Sequence, residues 1–294
     1  ARLEGPQYSA ASPVPLKWDC GSPLSFLKLW LTRDEGLSWS LFQELDLKTR
    51  GFPFSGPDGR YGMRLSAVPA TGPEESPPRA GSVPQYYLVI DTLPPRVELP
   101  VELDGRVFLA GEPIQVAWRC ADDNLPPYPV QLTFSWDNGK TWLPVGSREP
   151  GNGAFPWTPP PRHSPDCFFR LTAEDLAGNT TTWTNAKPFA IDNLNPSIEV
   201  LGTRLNAEGQ IQISYRMSSP GFIPVREVSL FYTTDRGAHW EYFGASQELE
   251  TPFLFRPPSR QEEYGFFLAP VRERGPRQNP INGSTAPQTA FRLS

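Results

Sequence analysis

Along the whole chain apolar residues recur at every second position in runs of about five to seven, and no window sustains apolar residues at i, i+3, i+4 and i+7. Clusters of Gly, Pro, Asn and Asp separate the runs, which is the punctuation of strands joined by turns. Alternation sends successive side chains to opposite faces of a sheet. Leu27, Leu29 and Leu31 form one inward set, Val130, Leu132 and Phe134 a second, and Val228, Leu230 and Tyr232 a third. Lys28 and Trp30, Gln131 and Thr133, and Ser229 and Phe231 are then expected to face outward.

These runs correspond because the chain repeats. Thr32-Arg-Asp34-Glu-Gly36-Leu-Ser-Trp39, Ser135-Trp-Asp137-Asn-Gly139-Lys-Thr-Trp142 and Thr233-Thr-Asp235-Arg-Gly237-Ala-His-Trp240 all read Ser/Thr-x-Asp-x-Gly-x-x-Trp, with their aspartates 103 and 98 residues apart. Upstream of each lies an alternating run ending in a large aromatic: Leu16-Lys-Trp18, Ile114-Gln-Val116-Ala-Trp118 and Ile211-Gln-Ile213-Ser-Tyr215. Downstream come runs starting at Tyr61, Cys167 and Tyr264, each followed eleven residues later by a glycine, Gly72, Gly178 and Gly275. Two units close on similar junctions, Asp91-Thr-Leu-Pro94-Pro95 and Asp192-Asn-Leu-Asn195-Pro196. The expected fold is all-β, three tandem Ig-like β-sandwiches over residues 1–93, 94–195 and 196–294, with about seven short strands in each. The third unit ends at Phe291-Arg-Leu293-Ser294, where a further junction would begin, so a segment of a longer protein is expected.

Composition sharpens this picture. Prolines number 36 in 294 residues and oppose long helices, while apolar residues, at 38%, suffice for cores. A net charge of −5 offers no positive field for nucleic acid, and two histidines rule out multi-histidine metal centres. No stretch approaches about 18 consecutive apolar residues, and the N-terminal Ala1-Arg2-Leu3-Glu4-Gly5 has no basic-then-apolar leader pattern. The three cysteines, Cys20, Cys120 and Cys167, fit neither a disulfide scaffold nor a metal knuckle. Cys120 and Cys167 are expected at opposite ends of one sandwich, beyond the roughly 7 Å reach of a disulfide.

The Trp of Val116-Ala-Trp118, with the later Tyr61-x-x-Arg64-x-x-Ala67-Val68-x-x-x-Gly72, resembles the early-strand and late-strand signatures of fibronectin type III domains. Tyr215 replaces the Trp in the third unit, and Cys167 replaces the Tyr in the second. Ala173-Glu-Asp175-Leu-Ala177-Gly178-Asn179 resembles bacterial Ig-like repeats of large surface proteins. The tryptophan hairpin is similar to the Asp-box of sialidase-type propellers, where it is non-catalytic. A propeller is not expected, because its blades repeat at about 40 to 50 residues.

Candidate chemistry is sparse. In each hairpin the aspartate (Asp34, Asp137, Asp235) is expected to accept hydrogen bonds from the turn, the glycine (Gly36, Gly139, Gly237) to take positive φ, and the tryptophan (Trp39, Trp142, Trp240) to fold back over it. A lone carboxylate cannot supply the six to eight oxygens of a Ca²⁺ site. His163 and His239 read as solvated turn residues, and the pairs Asp122-Asp123 and Glu262-Glu263 as solvated loop charge. The junction aspartates faintly resemble the calcium linkers of cadherins. Trp30, Trp136, Trp183 and Phe231 fall outside the repeat pattern and are the aromatics left to contact a ligand.

The expected function is therefore a non-catalytic spacer or adhesive segment, a semi-rigid rod within a larger extracytoplasmic protein. No cofactor, metal, nucleic-acid partner or membrane span is expected. Partners would be other domains of the same protein, or a surface protein or glycan. The alternatives are a carbohydrate-binding module set of a secreted degradative enzyme, or an enzyme with its site at a domain junction.

Overall fold

A computed structural model describes residues 2–20, 24–249, 252–258 and 263–293. Its first unit contains β1 (Arg2–Glu4), β2 (Tyr8–Ser9), β3 (Val14–Asp19), β4 (Leu24–Thr32), β5 (Ser40–Leu45), β6 (Gly51–Phe54), β7 (Gly59–Pro69) and β8 (Tyr86–Ile90). One sheet has the order β1-β3-β6 and the other β2-β8-β7-β4-β5. The second unit holds β9 (Arg96–Glu98), β10 (Val107–Leu109), β11 (Ile114–Ala121), β12 (Val130–Ser135), β13 (Leu143–Pro144), β14 (Asn152–Trp157), β15 (Ser164–Glu174), β16 (Thr180–Thr184) and β17 (Phe189–Asp192). Its sheets run β14-β11-β9 and β10-β17-β15-β12-β13, with β16 forming a hairpin on β15. The third unit contains β18 (Ser197–Leu205), β19 (Ile211–Ser218), β20 (Val225–Thr233), β21 (Glu241–Ser246), β22 (Phe253–Phe255), β23 (Glu263–Arg272) and β24 (Thr289–Arg292), in sheets β18-β19-β22 and β21-β20-β23-β24.

This is the expected architecture, with a three-stranded sheet facing a larger one in each sandwich and no helix among the described residues. Each unit has its own apolar cluster. Leu16, Leu27 and Leu29 belong to the first, Val116, Leu132 and Phe169 to the second, and Ile213, Leu230 and Phe266 to the third. The inward residues are buried as the alternation requires, except that Leu31 is only partly covered. Phe54, Trp157 and Phe255 fill one equivalent slot facing the other sheet.

The repeated aromatics have identifiable duties. Trp118 donates its indole N–H to the Pro150 carbonyl at 2.9 Å, and Tyr215 its hydroxyl to the Glu248 carbonyl at 3.3 Å. Tyr61 donates its hydroxyl to the carbonyl of Pro57, four residues upstream, at 2.6 Å, which is the tyrosine corner of such sandwiches. Cys167 occupies that position in the second unit, with its Sγ 3.8 Å from the Ser164 carbonyl. All three cysteines are free thiols.

Candidate functional site

The hairpin turns are built alike in the three units. Thr32 Oγ1 donates to Asp34 Oδ1 at 2.7 Å and accepts from Gly36 N–H at 2.9 Å, and Asp34 Oδ1 accepts from Ser38 N–H at 2.9 Å. Ser135, Asp137, Gly139 and Thr141 repeat the pattern at 2.8, 2.9 and 2.8 Å, and Thr233, Asp235, Gly237 and His239 at 2.7, 3.0 and 2.9 Å. Two successive residues take positive φ: Glu35 and Gly36, Asn138 and Gly139, Arg236 and Gly237. A non-glycine residue thus shares the left-handed region that the sequence pattern assigns to glycine alone.

Hydrogen bonds to the charged form hold these carboxyls down at about 2: from Ser38 to Asp34, from Thr141 to Asp137, and from His239 to Asp235. The Trp142 indole donates to the Gly139 carbonyl at 2.9 Å and lies 3.7 Å from the Arg170 guanidinium. Trp240 donates instead to the Thr285 carbonyl at 3.2 Å.

That last contact belongs to a feature outside the repeated motifs. In the first and third units the chain between the last two strands, 70–85 and 273–288, forms a strap over the hairpin turn. Gly81 N–H donates to the Gly36 carbonyl and Gly283 N–H to the Gly237 carbonyl, both at 2.8 Å. Gln85 accepts from Leu65 N–H and Gln288 from Leu268 N–H, at 2.9 and 2.8 Å. Pro84 and Pro287 sit so close over Gly62 and Gly265 that a Cβ there would lie 2.6 and 2.8 Å from the ring Cγ. The signal lay in Ser82-Val-Pro84-Gln85 and Thr285-Ala-Pro287-Gln288. The second unit has the short β16 hairpin instead, with the Asn185 Oδ1 accepting from Phe169 N–H at 2.7 Å.

The straps change the account of the leftover aromatics. Lys28 pairs with Glu74, and Arg64, opposite Trp30 in the β4–β7 pair, donates to the Val83 carbonyl at 3.4 Å. The strap therefore crosses the outer face beside Trp30, which is half-buried with its indole nitrogen shut from solvent. Phe231 packs against Tyr242 at 5.4 Å, and Trp136 lies under the Arg162 guanidinium at 4.2 Å. Trp183, opposite Leu171, packs on the second core. The structure does not bring these four rings together on one platform.

The junctions gather more charge. At the second, Asp192 is fully buried, and its Oδ2 accepts from Ile223 N–H at 3.0 Å. Arg272, also buried, stands 3.6 Å from Asp192 and donates to the Leu194 carbonyl and the Asn195 side chain, both at 3.1 Å. His163 is not the solvated turn residue expected from sequence: it stacks on Phe222 at 4.0 Å with its Nδ1 3.4 Å from Asp192. His239 is exposed, 2.6 Å from Asp235.

At the first junction Asp91, Asp122 and Asp175 bring carboxylate oxygens within 4.8 Å of one another, and Asp91 and Asp175 are buried. Asp122 is thus not plain solvated loop charge; Glu262, of the other carboxylate pair, lies outside the described residues. Burial first, and then the charges of Asp91, Asp175 and Asp123, raise the Asp122 carboxyl above its ordinary value. At an effective dielectric near 20 each such pair repels by roughly 3 kcal/mol. Oxygen donors of this kind suit a hard cation. Asn124 and Asn179 aim amide N–H groups at one oxygen each of Asp91 and Asp175, at 2.7 and 2.8 Å. A cleft of about 720 Å³ lies alongside, lined by Tyr8, Tyr87, Asp58 and Arg60 among others.

No protein-family model matches the chain, and no curated protein matches its sequence. Among solved structures, the fibronectin(III)-like modules of Clostridium thermocellum CbhA align over 64% of this chain and 88% of theirs, at 16% identity and a TM-score of 0.36. A run of titin domains aligns over 92% and 91%, at 14% identity and a TM-score of 0.38. The FN1–FN3 domains of chicken CNTN1 align over 95% of each chain, at 15% identity and a TM-score of 0.29. At these scores the fold assignment rests on the strand order itself, and the chain is similar to these modules as an array of β-sandwiches.

Proposed function

We propose that the chain is a non-catalytic spacer, a semi-rigid rod of three sandwiches with boundaries at 1–93, 94–195 and 196–294, within a larger extracytoplasmic protein. The observation that carries this reading is how little chain joins the units. Four residues separate β8 from β9 beyond Asp91, and four separate β17 from β18. In each linker a buried aspartate caps the turn, Asp91 accepting from Leu93 N–H at 3.2 Å and Asp192 from Leu194 N–H at 3.1 Å. A linker this short, with proline fixing φ at Pro94, Pro95 and Pro196, keeps successive units end to end. The Asp-box-like hairpins serve as turn staples in this reading, because their carboxylates are engaged by the turn itself.

Solution scattering tests the proposal. Strands of about eleven residues at roughly 3.3 Å each make a unit about 36 Å long, so three in line extend about 110 Å with a radius of gyration near 30 Å. A single globule of this length has about 19 Å. A value at the lower figure would refute the rod.

A further inference from the structure

We infer that the chain bends at its first junction and is locked at its second. The inference rests on the rod reading only in taking the units as separate bodies, and four pairs of equivalent positions carry it.

Counting along the repeat, Asp91 corresponds to Asp192 and Asp175 to Arg272. The same frame position thus presents a guanidinium to the buried linker aspartate at the second junction and a further carboxylate at the first. The amides of Asn124 and Asn179 hydrogen-bond one oxygen each of Asp91 and Asp175, and being neutral they bring no positive charge to the first junction. Arg60, at the mouth of the cleft, is already engaged with Glu35 at 3.0 Å and with the Tyr87 ring.

The packing contrast runs the same way. Gly275 sits so close to the second unit that a Cβ there would lie 2.7 Å from Leu109 Cδ1, whereas its equivalent Gly178 has nothing within 4 Å. Arg274 donates across the second junction to the Val107 carbonyl at 2.9 Å; its counterpart is Ala177. Phe222 of the third unit reaches over to stack on His163 of the second. Among the described residues no ring contact spans the first junction. Its hydrogen bonds from the second unit reach only the linker, from Asn124 and Asn179 to Asp91 and Leu93. Pro94 and Pro95 stiffen that linker, and the Asp58 carboxylate ties Thr92 to the first unit through its N–H and hydroxyl, at 3.2 and 3.0 Å, so the freedom that remains lies at Leu93, which is 66% exposed. Charge and packing therefore both favour opening at the first junction and closure at the second.

Pulsed electron spin resonance on the full chain tests this. Nitroxides are placed on cysteines introduced at the exposed Lys48, Lys140 and Glu208, in pairs, in a Cys20→Ser background and in chelator buffer. The 48–140 distance distribution is expected to be at least twice as wide as the 140–208 distribution. Equal widths, or a wider second junction, would overturn the inference. Arg272→Met is expected to widen the 140–208 distribution to that of the first junction, and no widening with the fold intact by circular dichroism counts against the lock. A short mean 48–208 distance would defeat the rod while leaving the comparison of widths readable.

Discussion

Arg272 and Asp192 form a buried ion pair, 3.6 Å apart, that joins the last long strand of the third unit to the final residue of β17 in the second. Removing one partner of such a pair leaves the other charge buried, which costs far more than the pair contributes as a whole. Arg272→Met is expected to destabilise the third unit by about 3 kcal/mol in denaturant melts. Asp192→Asn should cost less, because Arg272 keeps the Leu194 carbonyl and Asn195 as acceptors.

The three turn glycines are not equivalent. All have positive φ, so alanine costs about 1 to 2 kcal/mol at any of them. At Gly36 and Gly237 a Cβ would also lie 2.2 and 2.5 Å from the strap carbonyls of Ser82 and Thr285, whereas at Gly139 it meets only the Trp142 ring, at 3.5 Å. Gly36→Ala and Gly237→Ala should therefore lower stability by about 3 kcal/mol or more and free their straps, and Gly139→Ala by the φ cost alone. Limited proteolysis within 70–85 and 273–288 reports the straps directly.

The turn aspartates predict acid sensitivity with a definite sign. Each carboxyl has a folded value of about 2 against an ordinary 3.8. The folded state thus binds fewer protons, so the stabilisation is complete above about pH 4 and is lost as pH falls through 2. Thermal melts between pH 5 and 2 should show this slope, and Asp34→Asn, Asp137→Asn and Asp235→Asn combined should flatten it.

Thiol chemistry should divide the cysteines. Burial pushes the Cys167 thiol up to about 11 and raises that of Cys120 as well, so neither forms the thiolate that attacks an alkylating agent. Iodoacetamide at pH 8 is expected to label the half-exposed Cys20 alone, with all three labelled in denaturant, as read by peptide mass.

The Tyr61 hydroxyl bond is a local probe of the first unit. Tyr61→Phe removes the 2.6 Å bond to the Pro57 carbonyl and should cost about 1 kcal/mol in denaturant melts.

Much of this molecule is legible from its residues. Period-two alternation reports burial directly, so Leu27, Val130 and Val228 can be placed inward, and the hairpin motif announces its own turn because the bonds among Thr32, Asp34, Gly36 and Ser38 and their counterparts are all made within eight residues. What escaped depends on partners distant in the chain. Asp91, Asp122 and Asp175 each look like loop charge in isolation, and only the packing of the second unit against the linker brings them together. His163 reads as solvated because Phe222, which covers it, is 59 residues away. Trp30 reads as available because nothing within its own strand reveals the strap beside it. Comparing units position by position, as for Asp175 and Arg272, recovers part of this, since a change of charge sign within a preserved frame can be seen without coordinates.

The straps follow an alternating order, present in the outer units and replaced by a short hairpin in the middle one. Arrays of near-identical neighbours are prone to trading segments while they emerge and fold. Here a strap that strays to the adjacent unit finds its seat closed: the Gly62 and Gly265 positions that admit a proline ring are matched in the middle unit by Phe168. Unlike neighbours thus deny each strap a seat on the unit next to its own.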